Sequence, residues 1–231
     1  MEIQPGVPEV VHHVLVFIGG ENVDLENTAG FLAAYVPGNR HQINPEGFAK
    51  WLPPGAELYF QMHYTPNGTA TTDQTKLGLI FANEPPKYAI LGHGIANDKI
   101  EIPPGEENHH EQAVSQFPTD VRLISFYPHM HVRGKSFRYE LVHEGGQRET
   151  LLDVPRYDFN WQLEYRPVEP ILVPKGTKIV VTGCFDNSDG NPANPDPSKT
   201  VTWGPQTDDE MLLGHVDYYV PIVAVSKVRL D

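Results

Sequence analysis

A chain of 231 residues, 39% of them hydrophobic, holds material for one large β domain or two domains of about a hundred residues each. Its net charge of −13 argues against a nucleic-acid partner and an anionic membrane surface, and its single cysteine, Cys184, excludes an intrachain disulfide. No apolar run approaches the roughly 18 residues that a membrane span requires. Residues 1–8 lack the basic and apolar regions of a signal peptide, so the chain is expected either not to be exported or to be a mature or shortened piece of a longer one.

Twenty glycines and 22 prolines fit a fold with many turns. Val10 to Phe17 is rich in β-branched residues and stops at Gly19-Gly20, which predicts a buried strand. Residues 21–50 read as irregular, with a short helical segment near Ala29 to Ala34. The turn signal Leu52-Pro53-Pro54-Gly55 launches a strand over Glu57 to Tyr64, and Lys76 to Phe81 is a third. A boundary is expected near residues 88–105, where prolines and charges accumulate and His109-His110 sits in a polar loop. Beyond it, strands are predicted over Val121–Val132, Phe137–His143, Arg148–Val154, Trp161–Tyr165, Thr177–Phe185 and Val216–Val225, with a hairpin at Glu144 to Gln147. Asn187 to Asp196 is too polar and too rich in proline for a strand interior.

Short strands, frequent turns and no long helical periodicity predict an all-β chain of antiparallel β-sandwich architecture. Leu52-Pro53-Pro54-Gly55 with its strand is matched, 121 residues on, by Val173-Pro174-Lys175-Gly176 with its strand. This faint repeat predicts two related sandwiches, each with its own site.

His129 and His131 are two residues apart on a strand, so both imidazoles face one side and can reach one ion. Imidazole suits copper, zinc, iron or nickel, and two solvent-facing histidines are the alternative. His12 and His13 are adjacent, with His63 on another strand of the same half. Strand neighbours point to opposite faces, so a shared ion there requires a bulge, a strand end or coordination through a nearer ring nitrogen. Met211, after Thr207-Asp208-Asp209-Glu210, either opens a short helix behind a capping box or offers a soft thioether that favours Cu(I).

Taken in order, His12-His13-Val14-Leu15-Val16-Phe17, Gln61-Met62-His63-Tyr64, His129-Met130-His131-Val132-Arg133-Gly134 and Thr207-Asp208-Asp209-Glu210-Met211 resemble the copper type II, ascorbate-dependent monooxygenases. These are the peptidylglycine α-hydroxylating and dopamine β-monooxygenase-like enzymes, and the likeness is nearer their bacterial members. The resemblance implies two jelly-roll-like β-sandwich domains over residues 1–95 and 96–231, each holding one copper. His12, His13 and His63 would hold the electron-transfer copper. His129, His131 and Met211 would hold the catalytic copper that meets O2. The implied reaction hydroxylates a C–H bond of a small organic substrate, with ascorbate or an equivalent reductant, in a periplasmic or secreted setting.

Departures from the family pattern qualify this expectation. Only 11 residues precede His12, so the first sandwich is expected to be partial, completed by a partner or an upstream segment. Tyr127 stands where the peptide-hydroxylating enzymes carry a carboxylate-gripping arginine, and Leu213 and His215 replace an asparagine and a tyrosine. A peptide ending in glycine is therefore not the expected substrate. A non-catalytic copper-binding module of a larger redox protein is the alternative. A cupin is disfavoured because Val132 to Lys135 offers no glutamate after the histidine pair.

Overall fold

The computed structural model describes residues 1–19, 30–36, 38 and 41–223. The chain is all-β and forms two compact units, one of Met1–His93 with Asp217–Asp231 and the other of Gly94–Val216. Strands β1 (Glu2–Gln4), β2 (Val11–Ile18), β3 (Phe31–Tyr35), β4 (Phe48–Lys50), β5 (Leu58–Tyr64) and β6 (Lys76–Gly78) belong to the first unit. Strand β7 (Tyr88–Ala96) leads from it into the second. Strands β8 (Glu101–Ile102), β9 (His109–Gln116), β10 (Val121–His129), β11 (Gly134–Val142), β12 (Arg148–Val154), β13 (Ile171–Val173), β14 (Lys178–Phe185) and β15 (Val201–Thr202) form the second unit. Strand β16 (Leu213–Pro221) starts there and ends in the first.

In the first unit β2 is central, with β3 on one side and β5 on the other, both antiparallel. Val11, Val14 and Val16 face one core with Ile3, Leu32 and Ala33. Val14 and Val16 obey the two-residue period of a strand, whereas Val11 lies three residues from Val14 and would face the other way on a regular strand. The register explains it: Val11 pairs with Tyr64 and His13 with His63, so two steps on β2 oppose one on β5. That is a β-bulge at His12. Each fully buried valine or leucine here contributes about 1.5–3 kcal/mol through burial, which fixes the register on both sides of the bulge.

In the second unit β12, β11, β14 and β9 form an antiparallel sheet, opposed by β10 with β13 and the first half of β16. Phe126 of β10 meets Tyr139 of β11 edge-on, with ring centroids 5.1 Å apart, and Phe137 lies 5.1 Å from the same ring. All three are buried, so the two sheets share one aromatic core, as in a sandwich. Met130 is fully buried just past β10. Glycine is required across from it, because a Cβ on Gly183 would sit 3.0 Å from the Met130 sulfur and 2.7 Å from Leu212.

Several expectations change. The segment expected to be helical near Ala29 to Ala34 is strand from Phe31, because Leu32 and Ala33 are drawn into the core beside β2. Trp161 to Tyr165 is no strand; only Tyr165 makes an isolated bridge, to Phe126. His109-His110 opens strand β9 rather than a loop, and β7 was not anticipated. Of the two readings at Met211 the short helix is absent; Thr207 and Asp208 form a turn. The repeated turn is real at the local level: Ala56 N–H donates to the Pro53 carbonyl at 3.2 Å and Thr177 N–H to the Pro174 carbonyl at 3.0 Å. Gly55 and Gly176 take φ of 73° and 78°.

Candidate metal centres

The bulge in β2 supplies what the adjacent histidines needed. His12 and His13 no longer diverge to opposite faces; their Nδ1 atoms face each other at 2.9 Å. His13 is directly opposite His63 on β5, and their rings stack with centroids 3.9 Å apart. Burial, and then the charge of His12, pulls the His63 pKa below its ordinary value, which favours the neutral imidazole that binds metals. Two nitrogens 2.9 Å apart either share a proton or turn their lone pairs on one cation. The second option fits metal–imidazole bonds of about 2.0–2.1 Å. Closing His63 onto the same ion requires its ring to turn out of the stack with His13.

In the second unit His129 ends β10, and His131 lies in the turn that leads to β11. Their rings are 5.2 Å apart and nearly perpendicular. Each ring has its Nδ1 engaged by an oxygen that can only accept. His129 Nδ1–H donates to Gln162 Oε1 at 2.7 Å, and His131 Nδ1–H donates to the Asp209 carbonyl at 3.1 Å. The Gln162 amide is itself fixed, because its Nε2 donates to the Phe159 carbonyl at 2.8 Å. Protonation at Nδ1 leaves the Nε2 lone pair as the metal-facing donor in both rings, the usual outer hydrogen-bond arrangement of ligating histidines. Met130, between them, points the opposite way, into the core.

Met211 reaches this neighbourhood through Glu210. That carboxylate is fully buried and accepts three backbone N–H groups: from His131 at 2.8 Å, from Arg133 at 2.7 Å and from Met211 at 3.2 Å. Burial pushes its carboxyl up to about 7, against the opposing pull of those amides and of the Arg133 charge. Arg133, only 2% exposed, donates to Asn187 Oδ1 at 3.1 Å, Asn194 Oδ1 at 3.0 Å and the Asp208 carbonyl at 2.9 Å. Tyr157 completes the frame. Its hydroxyl accepts from the Met130 N–H at 3.0 Å and donates to the Met130 carbonyl at 2.6 Å, so it caps that residue as a neighbouring strand would.

Sequence reasoning identified none of Gln162, Tyr157, Glu210 or Arg133 as part of the site. The signal present was the Glu210-Met211 and His131-Val132-Arg133 adjacency, which placed two of them beside candidate ligands. Tyr127 shares the His129 face and packs its ring edge-on against buried His215, with centroids 5.7 Å apart. Among the described residues no three His, Cys, Asp or Glu side chains converge in ready-made ligating geometry. A set of two histidines and a methionine contains only two such residues, and the first cluster has its stacked pair. The donor chemistry nonetheless fits copper: imidazoles with their outer nitrogens committed, and a thioether on the adjoining segment.

A protein-family model described as "Copper type II ascorbate-dependent monooxygenase, C-terminal domain" matches residues 88–229. No curated protein matches the chain. Among solved structures, a chain from "Structure of infectious bursal disease virus Gx strain" covers 96% of this chain at 10% identity and a TM-score of 0.24, too low to carry any argument. The present chain spans about half of it, 52% of its length. The family match takes in His129, His131, Arg133, Glu210 and Met211 together, and through it the chain belongs to the copper type II ascorbate-dependent monooxygenases.

Proposed function

We propose that the chain is a copper-dependent monooxygenase that hydroxylates a C–H bond of a small organic substrate. O2 is the oxidant, one of its atoms enters the substrate, and the other leaves as water at the expense of two electrons from ascorbate or an equivalent reductant. The observation that supports this best is the pair of committed Nδ1 atoms at His129 and His131, with the His131 and Met211 amides held on one Glu210 oxygen. Copper held by these donors supplies one-electron redox chemistry at a soft, reducible centre. The chain's part is to orient the two rings through Gln162 and the Asp209 carbonyl. It also keeps Nε2 unprotonated and presents Met211 beside them. His12, His13 and His63 offer a second, all-imidazole set suited to passing electrons with little change of ligands.

The test is copper stoichiometry combined with ascorbate-driven O2 uptake across a panel of organic substrates. Two bound coppers and substrate-dependent uptake are expected. Met211→Ile is expected to abolish turnover while leaving the first, histidine-only set filled. Fewer than two bound coppers defeats the two-copper reaction, and copper binding with no substrate-dependent uptake favours a non-catalytic copper module.

A further inference from the structure

The ligand candidates of the second unit come from two segments far apart in sequence, the end of β10 and the residues just before β16. Strands β10 and β16 are neighbours in one sheet, but that ladder stops short of these residues, since residues 130–131 and 211–212 lie outside any strand and 132–133 form a turn. Besides the His131 Nδ1–H bond to the Asp209 carbonyl, two side chains cross between them. The Glu210 carboxylate takes His131 N–H and Met211 N–H on one oxygen and Arg133 N–H on the other. The Arg133 guanidinium, carried by the same turn, reaches back to the Asp208 carbonyl two residues before Glu210. It is braced from behind by the Asn187 and Asn194 side-chain carbonyls. Each segment therefore grips the other through a charged side chain, the acid from the methionine side and the guanidinium from the histidine side.

We propose that Glu210 and Arg133 are positioning residues that set where the Met211 sulfur lies relative to His129 and His131. The inference rests on the reading of those three residues as copper ligands. Neither Glu210 nor Arg133 needs to touch the metal. The buried turn amides of His131 and Arg133 have the carboxylate as acceptor, and leaving a buried amide unmet is costly, so the acid draws both segments to one point. The same carboxylate oxygen binds the amide of the sulfur-bearing residue, so losing that oxygen as an acceptor frees Met211 to shift relative to His131. A thioether ligand is weak, and its contribution is the one most sensitive to such a displacement. Imidazoles fixed by Gln162 and the Asp209 carbonyl are less sensitive to it.

The test uses the copper-loaded, ascorbate-reduced protein and reads sulfur scattering in copper X-ray absorption, with thermal unfolding of the metal-free protein in parallel. In Glu210→Gln the shape is kept, but one acceptor oxygen becomes a donor facing the amides. The sulfur contribution is expected to fall by half or more while histidine scattering and copper content hold. Arg133→Lys keeps the charge and the carboxylate with its amides but loses the forked bonds, and is expected to lower the sulfur contribution by a third or more. It serves as the deciding variant if Glu210→Gln folds poorly. A sulfur signal unchanged in folded Arg133→Lys and Glu210→Gln overturns the positioning role while leaving Met211 a ligand. A wild-type protein with no sulfur scattering, or a signal that survives Met211→Ile, overturns the ligand reading and the positioning role with it.

Discussion

Gln162 shows how much of a centre depends on residues that do not bind the metal. Its carbonyl oxygen decides which nitrogen of His129 carries the proton, and its own amide is held by the Phe159 carbonyl. Replacing it by leucine keeps the bulk and removes the acceptor. Gln162→Leu is expected to weaken copper binding at the second centre about 10–100-fold, measured by competition against a Cu(I) chelator, with the first centre unaffected. The histidines and Met211 were readable in the sequence because ligand types at strand spacing are a local signal. Gln162 and Glu210 were not, because they lie 33 and 79 residues from the groups they hold, and only the folded sheets bring them there. The Thr207 to Glu210 spacing even allowed a helix start as one of two readings. The acid instead found its amides on another segment.

At the scale of elements, the bulge in β2 is what turns adjacent histidines into neighbours, and its surroundings are pinned by Asp73. That side chain accepts the Val7 N–H at 2.9 Å, the Thr75 hydroxyl at 2.8 Å and the Tyr64 hydroxyl at 3.2 Å. It ties the approach to β2 to the end of β5, next to His63. Burial raises the Asp73 pKa, but the hydrogen bonds from Thr75, Val7, Tyr64 and Gly6 together outweigh it and hold the pKa below the ordinary 3.8. A depressed carboxylate pKa stabilises the fold above the unfolded-state value and ceases to do so as pH falls through the folded-state value. The first unit is therefore expected to lose this stabilisation only below about pH 4. Asp73→Asn should flatten that acid limb, as followed by tryptophan fluorescence from pH 6 to 2. The strands that bear the histidine motifs were legible because apolar β-branched runs surround them. Strand β9 was not: its inner face carries His109, Glu111 and Ser115 around a single alanine, and its place is set by pairing residue for residue with β14. Strand β7 was hidden for a different reason, since the prolines before it read as a linker.

At the scale of the molecule, the first unit is discontinuous, made of the start of the chain and its last segment, whereas the second is one continuous stretch. Lys50 and Asp217 join the two pieces of the first unit by an ion pair of 3.1 Å, with side chains 7% and 0% exposed. Gln42 adds a bond to the same carboxylate at 3.0 Å, and Tyr219 packs on Phe48 and Tyr88. Removing one member of a buried pair strands the other charge and costs about 3–5 kcal/mol. Asp217→Leu is therefore expected to destabilise the first unit by an amount of that order in urea unfolding, and to lower copper content by one ion while the second centre stays filled. The all-β sandwich architecture followed from turn and strand patterns. The return of the last strand did not, because a terminal apolar run carries no mark of which sheet it will join.

That return sets an order of events during synthesis. Residues 94–216 have all been made before Asp217 leaves the ribosome, so the unit carrying His129, His131 and Met211 can close while the earlier-made unit still waits for its final piece. His12, His13 and His63, made before the second centre, thus belong to the unit that closes after it.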